Sequence, residues 1–340
     1  MSDRIAVIGA GSWGTALAIS LASNHQNISL WARRSALAEQ MTVSRENAEY
    51  LKNAHIPEAI HVTSDLENAL EGASMWVFAT PSQSIREVGA SVSGLVKPDT
   101  IVVSVAKGIE NNTLMLSSDV LAEVLPVVKW ENFGVLYGPS HAEELARGLP
   151  TTVVAAATSE DTANIIQQAF NSRRLRVYVN TDIKGVQIAG SVKNVMAIAA
   201  GISDGVGFGD NAKAAIVTRG MAEIRRLGLA MGARAETFFG LAGIGDLVVT
   251  CMSGLSRNRH LGEQIGKGKR LEEIEAEMNM VAEGVRTTES IIALARRYDI
   301  EMPISEAVYA ILFEGKKPLD AVSELMNRAA KKEDWLPNIE

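Results

Sequence analysis

Lys193 lies in the run Gln187–Ala197, and on a helix its neighbours three and four residues away are Ala189, Gly190, Met196 and Ala197. All are small or apolar, so the ammonium projects from a face that should be buried. Desolvation lowers the pKa of such a lysine and fits it to give a proton to a carbonyl under reduction. A lysine snorkelling to the surface, or paired with an acid, would leave the same pattern. Gly190 costs helix stability and predicts close approach of another group. Lys107, between Ala106 and Gly108 just after the apolar run Ile101–Val105, reads either as a surface lysine or as a group meeting an anionic or carbonyl oxygen in an α/β crevice. Ser256 reads as the N-cap of a helix running to Gln264. That puts free N–H groups, the Arg257 guanidinium and the Asn258 amide side by side, either a phosphate site or a capped helix with solvent-facing arginines. Asp246 ends the glycine-rich stretch Gly240–Asp246 and reads equally as an orienter of Lys193 or a substrate hydroxyl, or as a helix cap. His141 reads as an acid–base group or as a loop-stabilising histidine.

Gly9-Ala10-Gly11-Ser12-Trp13-Gly14 sits between the apolar run Ile5–Ile8 and the helix-like stretch from Thr15 to Leu21. Gly9 allows a tight turn, Gly11 close approach to a pyrophosphate, and Gly14 close packing of helix on strand. The helix amino terminus offers N–H groups and partial positive charge to the phosphates, so this segment predicts dinucleotide binding. The second strand, Ile28–Trp31, runs into Arg33 and Arg34, with no acid before Glu39. A carboxylate there would hold a ribose 2′-hydroxyl, whereas arginine grips a 2′-phosphate, so the expected cofactor is NADP(H), with NAD(H) tolerated; merely solvated loop arginines would leave the same pattern.

Positioning these groups requires a sheet and a helical body. Apolar runs at Met75–Ala79, Ile101–Val105, Gly134–Tyr137, Thr152–Ala156 and Arg176–Val179 alternate with helical patterns such as Thr113–Leu125 and Asp161–Phe170, predicting a mostly parallel, doubly wound sheet. After about Asn180 the pattern turns helical: Ile183–Ile202, Ala212–Leu227, Leu271–Met278, Thr287–Tyr298 and Ser305–Phe313. The expected division is an α/β dinucleotide-binding domain over 1–180 and an all-α domain over 181–335. The polar tail from Lys331 is expected to fray. A net charge of −7 disfavours a nucleic-acid partner. The single Cys251 excludes an internal disulfide and reads as core filling in a reducing, cytoplasmic setting. The five histidines lack ligand spacing, so no metal is expected. No signal peptide and no apolar run of membrane-spanning length are expected.

These motifs resemble the bacterial NAD(P)-dependent sn-glycerol-3-phosphate dehydrogenases over nearly the whole chain. The matching segments are Gly9–Leu17, Gly138–Glu144, Gly190–Asn194, Ser203–Gly205, Gly209–Asn211, Thr218–Gly220, Leu241–Asp246, Ser256–Arg259 and Val281–Val285. The resemblance implies a Rossmann-like domain followed by a 6-phosphogluconate-dehydrogenase-like helical domain, forming a homodimer. It implies reversible reduction of dihydroxyacetone phosphate to sn-glycerol 3-phosphate for glycerophospholipid synthesis. Lys193 would carry the proton, and Lys107, Gly138, Ser140, Asp246, Ser256, Arg257 and Asn258 would line the substrate site. Ser12, Trp13, Arg33, Lys107, Ala142, Arg257, Val281 and Glu283 would contact the cofactor. The alternatives are a related reductase of another small hydroxy acid or sugar-acid phosphate, and a non-enzymatic NADP(H) sensor.

Overall fold

The computed structural model describes residues 4–25, 27–278 and 282–330. Val281 and the tail from Lys331 lie outside the described residues. Ten strands appear in chain order: β1 Ile5–Ile8, β2 Ile28–Trp31, β3 Glu46–Asn47, β4 Leu51–His55, β5 Ile60–Thr63, β6 Met75–Phe78, β7 Ile101–Ser104, β8 Phe133–Tyr137, β9 Thr151–Ala157 and β10 Leu175–Asn180. Eight form one sheet in the order β10-β9-β8-β7-β6-β1-β2-β5. All its pairings are parallel except β8 with β9. Strands such as Ile5–Ile8 and Met75–Phe78 are buried at every position because helices cover both faces, which is why they read as unbroken apolar runs. Val7 and Val77 pack on one side, Ile8, Trp76 and Phe78 on the other.

The chain leaves β1 towards β2 and later returns on the opposite side as β6, so the strand order reverses between β1 and β6. At such a switch point the strand ends splay into a crevice. Gly9 makes the turn there with φ +120°, and a Cβ on Gly14 would stand 1.9 Å from the Gly9 carbonyl oxygen. Here the glycines serve the turn and the helix–strand contact, as expected from their spacing.

Two sequence expectations are corrected. The helix expected over Thr113–Leu125 spans Ser117–Val124, because Leu114 turns left-handed (φ 61°) and Leu116 bridges back to Ile109. The expectation that no apolar run reaches membrane-spanning length also fails. Helix Ile183–Val206 has 24 residues and an 18-residue window of mean hydropathy 1.2, but that window is 94% buried inside the protein. Against this central helix pack helices Asp210–Ala230, Asp246–Met252, Arg257–Gly266, Glu283–Tyr298 and Pro303–Phe313.

That central helix meets helix Arg257–Gly266 backbone to backbone. A Cβ on Gly262 would lie 2.1 Å from the Ile198 carbonyl oxygen, and one on Gly266 2.5 Å from that of Ile202. Reciprocally, Cβ atoms on Gly201 and Gly205 would lie 2.0 and 2.3 Å from the carbonyl oxygens of Arg259 and Glu263. Each helix thus offers two glycines four residues apart, the small-xxx-small arrangement that lets backbones touch. Residue numbers rise together along the contact, so the helices run parallel in fixed register. One turn back from the Gly262–Ile198 contact, Asn258 falls beside Asn194, and a Cβ on Gly284 would touch both Asn258 Oδ1 (2.7 Å) and the Asn194 carbonyl (2.9 Å). Gly262→Ala must push the helices apart and is expected to cost about 1–3 kcal/mol in denaturant unfolding. Wild-type stability would show that the crossing yields without strain.

Candidate active site

Lys107 follows β7, and its Nζ donates to the Gly138 carbonyl (2.9 Å) beyond β8, to Asp246 Oδ2 (2.7 Å), and at longer range to Ser140 Oγ (3.4 Å). Lys193, on the central helix, donates to the other oxygen of the same carboxylate, Oδ1, and to Thr250 Oγ1 at 2.7 Å. The Thr250 hydroxyl gives its hydrogen to the Asp246 carbonyl one turn earlier (2.6 Å), leaving a lone pair turned to Lys193. A fully buried aspartate therefore holds two lysines, one from each half of the chain. Asp246 opens helix Asp246–Met252 without making a side-chain cap, and its carboxylate binds the two lysines instead.

Lys193 is only 5% exposed, paired with an acid as well as buried. Burial pushes its ammonium down to about 7, opposed by Asp246 and reinforced by the charge of Lys107. Gly190, one turn earlier, lies under the Tyr137 ring, where a Cβ would meet Cδ2 at 2.5 Å. His141 is half-buried, its pKa lowered by burial and then by Lys193, and its Nε2 is buried without a partner.

On the helical side, Ser256 Oγ accepts from the Arg259 N–H at 3.2 Å, the capping bond expected from sequence. Asn258 Oδ1 accepts from the Gly284 N–H (2.9 Å), which fixes the amide plane beside Asn194. Asn194 Nδ2 reaches the Lys107 carbonyl at 3.4 Å. Arg257, Asn258 and Lys193 are thus carried by the two helices locked through their glycines.

The dinucleotide end can be tested residue by residue. A Cβ on Gly11 would meet nothing within 4 Å, so open space faces the loop. Helix Ser12–Leu21 begins with no side-chain cap, leaving its first-turn N–H groups to an anion. Trp13 Nε1 and Thr80 Oγ1 are buried polar atoms without a partner. Cradle, helix terminus and orphaned polar atoms together fit a dinucleotide's phosphates. Ser12 and Ala142 are buried, each opening a helix, Ser12–Leu21 and Ala142–Ala146. Arg33 is exposed at the end of β2, while Arg34 is bound to Glu49 (2.5 Å). Glu283 is half-buried, its pKa raised by desolvation, and accepts from the Ser82 N–H (3.2 Å) and hydroxyl (2.5 Å).

Sequence reading missed Thr250 and Asn47. Asn47, from β3, is fully buried and donates to the Ala10 carbonyl (2.9 Å) and Thr15 Oγ1 (2.8 Å), bracing the glycine loop from outside. The Thr250 spacing, four residues after Asp246 on one helix, was the available signal for that residue. Asn47 had none, sitting in a polar stretch without periodicity.

Two family models match: the NAD-dependent glycerol-3-phosphate dehydrogenase N-terminus over residues 4–163 and the C-terminus of the same family over 182–323. A glycerol-3-phosphate dehydrogenase [NAD(P)+] of Salinibacter ruber is 61% identical over 337 residues, covering 99% of this chain and 98% of the relative. One from Chlorobium phaeobacteroides strain BS1 is 54% identical over 330 residues, covering 97% and 99%. The crystal structure of a glycerol-3-phosphate dehydrogenase from Coxiella burnetii superposes with TM-score 0.91 at 39% identity, covering 96% of this chain and 99% of that one.

Proposed function

This chain belongs to the NAD-dependent glycerol-3-phosphate dehydrogenase family, and on that premise we propose that it interconverts dihydroxyacetone phosphate and sn-glycerol 3-phosphate, with Lys193 as the proton carrier. The observation that carries the assignment is the buried Lys193–Asp246–Lys107 triad at the crevice. When bound, NAD(P)H supplies the hydride that reduces the carbonyl carbon.

The protein's part is to place and move a proton. An ammonium has three N–H donors. Two of those on Lys193 are engaged by Asp246 and Thr250, which leaves the third for the substrate's carbonyl oxygen. As charge develops on that oxygen, Lys193 Nζ gives up the proton; in oxidation the neutral amine takes it from the hydroxyl. The sequence expectation set Lys107 against the same oxygen. Its donors already meet Gly138, Asp246 and Ser140, so we assign it instead to fixing the carboxylate and depressing the Lys193 pKa. Arg257, Asn258 and the first turn of the helix capped by Ser256 would hold the phosphate and set the carbon at reacting distance. Glu283, occupied by Ser82, would act on the cofactor through the Pro81–Ser82 turn. This reading carries with it a cytoplasmic enzyme of glycerophospholipid synthesis that works as a homodimer, checked by light scattering.

The test is loss of reduced-nicotinamide absorbance on adding dihydroxyacetone phosphate, with NADPH and NADH compared. Failure of both cofactors with this substrate, and turnover of another small keto acid, would favour a related reductase; binding without consumption would favour a sensor. The Lys193 pKa also gives a signed pH dependence. Oxidation needs the neutral amine, so its kcat/KM should rise through pH about 7 and level off above. Reduction needs the ammonium, so its kcat/KM should fall as pH rises through the same value. An oxidation profile flat from about pH 6 to about pH 9 would remove Lys193 from the proton step.

A further inference from the structure

The end of β2 lacks the acid that dinucleotide folds place there to hold the adenosine ribose; Arg33 and Arg34 stand there instead. A carboxylate nevertheless arrives from elsewhere. Between β3 and β4 the hairpin turn carries Glu49, whose Oε2 accepts from Arg34 Nη2 at 2.5 Å. Tyr50 adds a hydroxyl contact at 3.3 Å and places its ring 5.9 Å from the guanidinium carbon. The hairpin is itself anchored to the glycine loop, because Asn47 bonds Ala10 and Thr15 and accepts from the Tyr50 N–H at 3.2 Å. Glu49 is therefore mounted on an element braced against the cofactor cradle. The side chains of Arg34 and Glu49 remain 52% and 41% exposed, open to a ligand. Arg33 is exposed and makes no hydrogen bond or ion pair with any described residue.

We propose that Glu49 is a specificity-determining residue: its charge neutralises Arg34 and tempers the arginine pair's hold on a 2′-phosphate, keeping the site open to the dinucleotide with a free 2′-hydroxyl. The inference rests on the reading that Arg33 faces the 2′-position. A 2′-phosphate brings close to two negative charges, which a neighbouring carboxylate repels; a hydroxyl brings none and can donate to it. The ion pair also engages one N–H of a guanidinium fork that would otherwise grip phosphate with two.

Glu49→Gln keeps the size and an acceptor for Arg34 while removing the charge. Calorimetric titration of the free protein with adenosine 2′,5′-bisphosphate and adenosine 5′-monophosphate isolates the 2′-phosphate from the reaction. NADPH and NADH are titrated alongside. Glu49→Gln is expected to tighten the bisphosphate and NADPH about tenfold, and to leave the monophosphate within about twofold. The gain should shrink in high salt, because the pair is exposed. A merely structural role would move all four ligands together, and that result overturns the proposal. So does an unchanged bisphosphate-to-monophosphate ratio. Arg33→Ala tests the parent reading separately: if it weakens the bisphosphate while Glu49→Gln changes nothing, Arg33 stands and Glu49 falls. If neither variant nor the wild type distinguishes the two ligands, both readings fall.

Discussion

Lys193→Met should lower turnover by about a thousandfold or more while cofactor binding and the fold survive. The methionine matches the lysine stem in length and leaves no cavity. Asp246 is not stranded by the change, because Lys107 still donates to its Oδ2 at 2.7 Å. The variant should be as stable as the wild type or more so at neutral pH, since an ammonium is no longer buried. The sign follows from proton counting. The folded-state pKa of Lys193 is depressed to about 7, so between there and the unfolded value the unfolded chain binds more protons. Wild-type stability therefore rises with pH across that window relative to Lys193→Met. Steady-state and single-turnover rates, with denaturant unfolding at two pH values, check both halves. Turnover within tenfold of wild type would exclude Lys193 as the proton carrier.

Asp246→Asn should damage stability and activity together. The aspartate is fully buried and answers two ammonium groups. Removing one partner of a buried ionic cluster costs about 3–5 kcal/mol, because uncompensated charge is left inside. The protein has one escape: Lys193 can shed its proton, since the Asp246 charge that holds its pKa up is gone. The loss should therefore be greatest at low pH and partly relieved as pH rises, as the folded variant binds fewer protons than its unfolded chain. Turnover should fall by about a hundredfold or more, with Lys193 neutral and no longer aimed. Unfolding within about 1 kcal/mol of wild type across pH would mean the lysines find other acceptors.

Sequence reading did well where burial is complete and local. Ile5–Ile8 and Met75–Phe78 are covered on both faces, and the glycine turn follows directly. It failed at short strands with few apolar residues. Ile60–Thr63 reads buried, exposed, buried, partly buried across His61 and Thr63, which masks a short edge strand. The hairpin of Glu46–Asn47 with Leu51–His55 is polar and brief, held by Asn47 and not by an apolar face. Lys193 was legible because a cation among Ala189, Gly190, Met196 and Ala197 is anomalous on its own helix. Its partner was legible only as one of several readings of Asp246, which is 53 residues further along and meets Lys193 through packing. Likewise Gly201, Gly205, Gly262 and Gly266 look like scattered helix-weakening residues until the two helices are seen touching.

If Arg257 and Asn258 hold the phosphate as proposed, that contact makes the two helices a gauge for substrate length. Side chains at a helix crossing hop among rotamers and let neighbours slide; four glycines against carbonyl oxygens leave nothing to adjust. The span between the backbones that carry Lys193 and the Arg257–Asn258 cap is then set by that contact, as on a ruler. A three-carbon phosphate would be selected by the reach from its carbonyl to its phosphate, with no wall needed behind it. Widening the enzyme to a longer sugar phosphate would call for a change in helix register, a step that no substitution around the crevice can supply.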